Sequence, residues 1–161
     1  MDDRLFRDAM GKFATGVTVI ATEINGYVHG MTANAFMSVS LDPKLVLISV
    51  KEDSKTLEKI QTTESFTVNI LAEHQVEVSK VFASKDKDTS NLTFQYLDGK
   101  PVIPEALAQV SCEVKSEYVE GDHTLFVGRV TDIRVQDGEP LIFSSGRYRN
   151  LEGENVNSES R

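Results

Sequence analysis

Small, hydroxyl and amide side chains are concentrated in one short segment of the chain, residues 30–40, with the sequence GMTANAFMSVS. Small side chains let a flat ring approach the backbone, and the Asn34 amide and the Thr32 hydroxyl could hydrogen bond to the polar edge of such a ring. A tight corner of a β-barrel would need the same composition, and spacing alone favours this simpler interpretation. The segment is therefore a candidate ring-binding site, and only the types of its residues support this hypothesis.

Other motifs that carry chemistry are missing from the sequence. His29, His74 and His123 lack the close spacing of a zinc motif, so no metal site is expected. Neither a Gly-x-Gly-x-x-Gly element nor a Walker loop is present, so any nucleotide must be held in another way. A serine hydrolase remains an alternative, although the Gly-x-Ser-x-Gly elbow typical of many such enzymes is absent.

Charge and cysteine content limit the partners and the compartment. The 161 residues carry a formal net charge of −8, and the resulting potential repels phosphate backbones and anionic lipids. We therefore expect neither nucleic acid nor membrane partners. Cys112 is the single cysteine and cannot form an internal disulfide, and the acidic N-terminus does not resemble a secretory signal. These features predict a cytoplasmic protein.

The elements that would position these groups are mainly β-strands. Alternating or β-branched runs predict strands over residues 17–22, 27–31, 45–50, 66–71, 108–118, 124–135 and 141–143. Helical spacing predicts short helices over residues 5–13, 55–62 and 78–82. Asn25 and Gly26 tolerate the positive φ of a tight hairpin turn, and Ser54 or Asp53 can cap the helix that begins near Lys55.

Strands separated by tight turns, with few helices inserted, favour a mainly β fold, an antiparallel barrel, over a parallel α/β sheet. One domain over residues 1–150 accounts for all of these elements. Residues 151–161 contain almost nothing to bury and predict a mobile polar tail.

Five motifs follow one another between Gly30 and Tyr148, and the likeness that they carry extends from Arg4 to about Arg149. Residues 30–49 (GMTANAFMSVSLDPKLVLIS) come first, followed by SKTLE from Ser54, FTVNIL from Phe66, GDHTLFVG from Gly121 and FSSGRY from Phe143. In this order they resemble the flavin reductase-like family, and most closely the reductase components of bacterial phenol and 4-hydroxyphenylacetate hydroxylases. The resemblance implies the family's fold, a flavin-binding antiparallel Greek-key split barrel with a few short helices.

The resemblance also implies a function. Members of this family use NADH to reduce FAD, or FMN, and supply the reduced flavin to a partner flavin-dependent aromatic monooxygenase. They are homodimers in which both subunits contribute to each flavin site. A flavin-binding electron-transfer protein with little NADH turnover, and a noncatalytic ligand-binding barrel, are the alternatives within the same fold.

The site residues implied by the resemblance fall into three groups. The flavin ring would lie against Thr32, Ala33, Asn34, Ala35 and Ser49, with Ser38, Val39 and Ser40 continuing the same wall and the Asn69 amide nearby. The flavin phosphate would lie at Ser54, Lys55 and Thr56, which could equally be ordinary capping residues, and the outer phosphate or adenine of FAD at Phe82, Ala83 and Lys85. His123 would contact the nicotinamide nucleotide and Tyr148 would border the same pocket.

Hydride transfer between two stacked rings needs no dedicated acid or base. We therefore expect no catalytic side chain in the strict sense, and His123 is predicted to position the nicotinamide.

Overall fold

A computed structural model describes residues 1–152, where the chain forms three helices and twelve strands. Most of the tail predicted from residue 151 onward lies outside the described residues. The elements in chain order are α1 (Asp3–Gly11), β1 (Thr15–Gly16), β2 (Thr18–Ile24), β3 (Tyr27–Ala33), β4 (Phe36–Leu41), β5 (Lys44–Lys51), α2 (Lys55–Thr63), β6 (Ser65–Ile70), α3 (Val76–Ala83), β7 (Gln95–Leu97), β8 (Lys100–Val102), β9 (Ala108–Glu120), β10 (His123–Val135), β11 (Ile142–Ser144) and β12 (Arg147–Arg149).

Seven strands form the main sheet in the order β3-β2-β6-β9-β10-β5-β4, and every neighbouring pair is antiparallel. The pairs β6–β9 and β10–β5 join strands that are distant in sequence, which is the crossing pattern of a Greek key rather than of a simple meander. Strands β1, β11 and β12 form a second sheet, and β7 pairs with β8. The predicted mainly β, antiparallel split barrel is confirmed.

Two apolar clusters lie on opposite sides of the main sheet. Ile20, Phe66 and Phe126 belong to the cluster inside the barrel, and all three side chains are fully buried. Val19 and Phe82 belong to the cluster between the outer face of the sheet and α3. Neighbouring residues of a strand point to opposite faces, so β2 supplies Ile20 to one cluster and Val19 to the other.

A glycine allows α3 to pack directly on β3. A Cβ atom added at Gly30 would lie 2.9 Å from the ring of Phe82 and 3.1 Å from the Ile20 carbonyl oxygen. Only a residue without a side chain permits this approach, because atoms at such distances must otherwise shift. The close packing places α3 beside the last residues of β3.

Residues 30–40, which composition marks as a candidate site, contain the end of β3, a two-residue corner at Asn34 and Ala35, and β4. The Thr18 hydroxyl donates to the Ala33 carbonyl at 2.6 Å, and the Ser49 N–H donates to the Ala35 carbonyl at 3.3 Å. The segment therefore does form a corner between two strands, and hydrogen bonds from β2 and β5 hold it on both sides.

Candidate functional site

A groove of about 860 Å³ lies beside the β3–β4 corner. Asn34, Ala35 and Ser49, all three predicted to lie at the flavin ring, are among the residues that line it. The opposite wall comes from the N-terminal segment, through Met10 and Phe13 among others. Most of the lining is apolar, and the Asn34 amide and the hydroxyl groups of Thr15, Thr18 and Ser49 are the polar groups among the lining side chains.

A smaller cavity of about 200 Å³ lies on the other side of the corner, between β3, α3 and the β11–β12 hairpin. Its lining includes Thr32, Ala33, Ala83 and Tyr148, four further residues of the predicted site. Asn34 lines both this cavity and the large groove. The Asn34 side chain therefore stands where the two spaces meet.

Ser79 on α3 connects two of the predicted site residues. The Thr32 hydroxyl donates to the Ser79 carbonyl oxygen at 2.5 Å, and the Ser79 and Tyr148 hydroxyl groups are hydrogen bonded at 2.7 Å. Ser79 itself is fully buried, and the ring of Phe143 packs edgewise on Tyr148 with 5.4 Å between centroids. These contacts hold Thr32 and Tyr148 in defined positions, although no sequence motif marks Ser79.

Ser38, Val39 and Ser40 lie on the edge strand β4, just beyond Met37, which lines the large groove. None of the three lines the groove, and Ser38 and Val39 are exposed. The pairing of β4 with β5 shifts between Ser38 and Ser40, so the side chains do not continue in one regular row. Their contact with a ring stays a prediction.

The N-terminus of α2 is capped by Ser54, and the groups that cap a helix are the same groups that bind a phosphate. The Ser54 Oγ accepts the Thr56 N–H at 3.2 Å, and Lys55 is exposed beside it. The Thr56 side chain is only 3% exposed, so the hydroxyl expected at the phosphate is largely enclosed by protein. Lys87, which sequence motifs do not mark, approaches this helix end: burial and, next, the charge of Lys55 lower the pKa of the Lys87 ammonium group. Two ammonium groups thus add positive charge near the start of α2, where the helix dipole also favours anions.

No part of Asn69 is exposed in this chain, and the predicted contact of its amide with a flavin stays a prediction. The Asn69 side chain donates to the Val19 carbonyl at 3.0 Å and to the Thr67 hydroxyl at 3.1 Å, and its oxygen accepts the Ile103 N–H at 2.9 Å. Strand β6 is central in the sheet and covered on both faces, so its one amide holds a neighbouring loop.

Phe82 is enclosed to a similar degree, and its predicted contact with the outer part of FAD stays a prediction. Only 1% of Phe82 is exposed, because its ring fills the space above Gly30 in the second apolar cluster. An adenine could not stack on that ring without displacing it. Ala83 and Lys85, which follow Phe82, are both exposed, and their predicted roles remain open.

His123 lies at the start of β10 and shares a face of the sheet with Ser49. In the pairing of β10 with β5, Leu125 is opposite Ser49 and His123 is opposite Lys51. Residues two apart on a strand point to the same side, so His123 extends the row of side chains that begins in the groove. The His123 Nδ1 is 2.8 Å from Asp122 Oδ1, and this hydrogen bond is the main cause that lowers the pKa of the Asp122 carboxyl group.

Residues 1–152 contain no group of three or more His, Cys, Asp or Glu side chains arranged to hold a metal ion. Over the same part of the chain, none of the helices combines the length and the apolar character needed to cross a bilayer.

An antiparallel split barrel with a ring-sized groove at a corner of small and amide residues defines a flavin-binding class of protein. Residues 10–152 match the model of the flavin reductase like domain, and the chain belongs to that family. An NADH-dependent flavin reductase of Rhodococcus sp is 44% identical over 149 residues, covering 91% of this chain and 85% of the relative. The reductase component of 4-hydroxyphenylacetate 3-monooxygenase from Thermus thermophilus is 38% identical, with 91% and 95% covered.

A solved structure, described as flavin reductase PheA2 in its native state, is also similar to this chain. It superposes with a TM-score of 0.92 and is 59% identical, and the match covers 95% of this chain and all of that one. The fold and the order of the motifs are therefore shared over nearly the whole length of both proteins.

Proposed function

We propose that this chain is the NADH-dependent flavin reductase component of a two-component flavin-dependent monooxygenase. The observation that supports this most strongly is the groove of about 860 Å³ at Asn34, in a chain that matches the flavin reductase family over residues 10–152. The relatives from Rhodococcus and Thermus are named for these two activities, flavin reduction with NADH and service to a monooxygenase.

The residues of the groove fit a flavin. Its apolar side, with Met10, Phe13 and Leu47, suits the dimethylbenzene part of the ring, and Asn34 and Ser49 suit the polar pyrimidine edge. Lys55, Lys87 and the positive end of the α2 dipole supply the positive potential that a phosphate needs. We propose FAD as the flavin. FMN is the alternative, because it carries the same inner phosphate.

A bound flavin would supply the hydride acceptor, its N5 atom, for a hydride from NADH. The chain's residues orient the two rings and keep water away from them, because an apolar wall on one side leaves only one face open. His123 holds the nicotinamide nucleotide at the end of the row that begins with Ser49, and Tyr148, tied to Ser79, borders the space on the other side of the corner. None of these side chains needs to move a proton.

We also propose that the protein is a homodimer. Helix α1 contains no buried residue, and the apolar side chains of Leu5, Phe6 and Met10 are all more than half exposed. The edge strand β4 likewise exposes Leu41 at 80%. Apolar surface of this kind is costly in water and is typical of a surface that a second subunit covers. The second subunit would then complete the open side of the groove.

The proposed partner is a flavin-dependent aromatic monooxygenase that takes up the reduced flavin. A cytoplasmic location, expected from the unpaired Cys112, stays a prediction.

The test of the function is NADH oxidation by the purified protein with FAD, FMN and riboflavin added in turn. We expect turnover with FAD at least equal to that with FMN. Slow flavin bleaching after stopped-flow mixing with NADH would instead favour an electron-transfer protein.

A further inference from the structure

The turn between β9 and β10 is held in place at one end of the sheet. Gly121 and Asp122 form the turn, and Gly121 has a φ of +61°, which favours glycine. The Glu52 N–H donates to the Asp122 carbonyl oxygen at 2.9 Å, which joins the turn to the end of β5. The same end of β5 leads into Ser54 and α2. The turn is therefore attached to the segment that starts the proposed phosphate site.

The Asp122 carboxylate determines which nitrogen of His123 carries the proton. The Asp122 Oδ1 and the His123 Nδ1 are 2.8 Å apart. An ionised carboxylate can only accept hydrogen bonds, so the His123 Nδ1 must donate. In the neutral ring the other nitrogen, Nε2, then has no proton and is a hydrogen-bond acceptor. The histidine side chain is 40% exposed and can receive a ligand.

The position of His123 relates this acceptor to the groove. His123 and Leu125 point to the same face of the sheet, and Leu125 is paired with Ser49, which lines the groove. The two positions on β10 are roughly 7 Å apart along the strand, and neighbouring strands are about 5 Å apart. A nicotinamide stacked on a ring at Ser49 could therefore extend its substituent toward His123.

We propose that Asp122 is a positioning residue: it fixes the tautomer of His123 so that Nε2 accepts a hydrogen bond from the carboxamide N–H of the nicotinamide. This proposal rests on the proposed function, because it needs NADH as the ligand. The carboxamide is a neutral group with two N–H donors, and an acceptor nitrogen is the matching partner. Without Asp122 the ring can turn and adopt the other tautomer, in which Nε2 carries the proton and repels the same donor.

Other charged groups near His123 provide the control. Glu120 on β9 is opposite His123, and Lys51 on β5 is opposite it on the other side. Asp122 is the one acidic side chain hydrogen bonded to His123 among residues 1–152. Glu120→Ala removes the same charge as Asp122→Ala but no hydrogen bond to the ring, so it separates charge from positioning.

The test is a double-mutant cycle on KM for NADH. Asp122→Ala and His123→Ala are each expected to raise KM about three- to tenfold, the usual effect of one lost hydrogen bond, and to lower kcat less than they raise KM. The double variant should have the KM of His123→Ala alone, because Asp122 acts through His123. Glu120→Ala should leave both constants within twofold. KM does not depend on the amount of folded enzyme, so partial misfolding does not obscure the result.

A nicotinamide analogue tests the acceptor directly. In oxidised 3-acetylpyridine adenine dinucleotide an acetyl group replaces the carboxamide and removes its N–H donors. Measured as inhibitors against NADH, NAD should bind the wild type about three- to tenfold more tightly than the analogue. This preference should disappear in both Asp122→Ala and His123→Ala.

The two levels of the proposal fail in different ways. If His123→Ala leaves KM unchanged while NADH oxidation persists, the contact between His123 and the nicotinamide is wrong. If His123→Ala raises KM but Asp122→Ala does not, or if the two effects multiply in the double variant, the positioning role of Asp122 is overturned. A protein that does not oxidise NADH with any flavin refutes the proposed function itself.

Discussion

Asn69 on β6 and Asn34 at the β3–β4 corner carry the same amide but face opposite surroundings. Asn69 is fully buried, and its donors and its acceptor are hydrogen bonded within the chain. Asn34 is exposed at the point where two cavities meet. A central strand leaves its polar side chains no surface, whereas a corner between strands exposes them. The role of an amide in this barrel is therefore decided by its position in the sheet.

Removing the buried amide is expected to have the largest effect on stability. Asn69→Ala leaves the Ile103 N–H without its acceptor in a place that water does not reach, and it removes the side-chain donor to the Val19 carbonyl. We expect the free energy of unfolding to fall by about 2–4 kcal/mol, measured by urea denaturation. Flavin affinity of the folded fraction should stay unchanged. A loss of flavin binding without a loss of stability would show that Asn69 does face the flavin.

Crowding the contact between β3 and α3 should have a smaller effect. A Cβ at Gly30 would lie 2.9 Å from the ring of Phe82, so Gly30→Ala is expected to cost about 1–3 kcal/mol of stability. The double variant Gly30→Ala/Phe82→Leu has a smaller side chain at the point of contact and should lose less stability than the sum of the two single variants. Strictly additive losses in thermal or urea unfolding would mean that this contact does not limit the packing.

Removing the amide at the corner should change binding and not folding. Asn34→Ala is expected to weaken flavin binding about three- to tenfold, with stability within about 0.5 kcal/mol of the wild type. Ser38→Ala is the matched control, since Ser38 is exposed on β4 and does not line the groove. Flavin fluorescence titration measures both variants. Equal losses in the two would extend the binding wall along β4, as the family resemblance implies.

Much of the fold could be predicted because it depends on local patterns. Asn25 and Gly26 adopt φ values of 52° and 80° in the predicted hairpin turn, and Ser54 caps α2 as expected. Strand β4 was not predicted, and neither were the short strands β1, β7, β8 and β12, since two or three residues show no period. The partner of β1 also lies far away in sequence, since Thr15 pairs with Phe143.

The candidate site could be predicted only in part. Asn34, Ala35 and Ser49 come together in one groove as the family motifs indicate, and Ala83 and Tyr148 line the adjoining cavity. No motif singles out Ser79, Lys87 or the groove wall at Met10 and Phe13. Each of these acts through a neighbour from another element, and a motif reports only residues close together in the chain.

The sequence by itself determined the alternation of strand residues, the turns, the helix cap and the order of motifs that marks the family, because these depend on neighbours along the chain. The tertiary structure decided which polar groups reach a ligand. Asn69 and Phe82 carry suitable groups but are enclosed, since the central strand and the α3 interface are covered on all sides. Burial arises from the packing of distant segments, and that packing separates the residues that can bind from those that only support the fold.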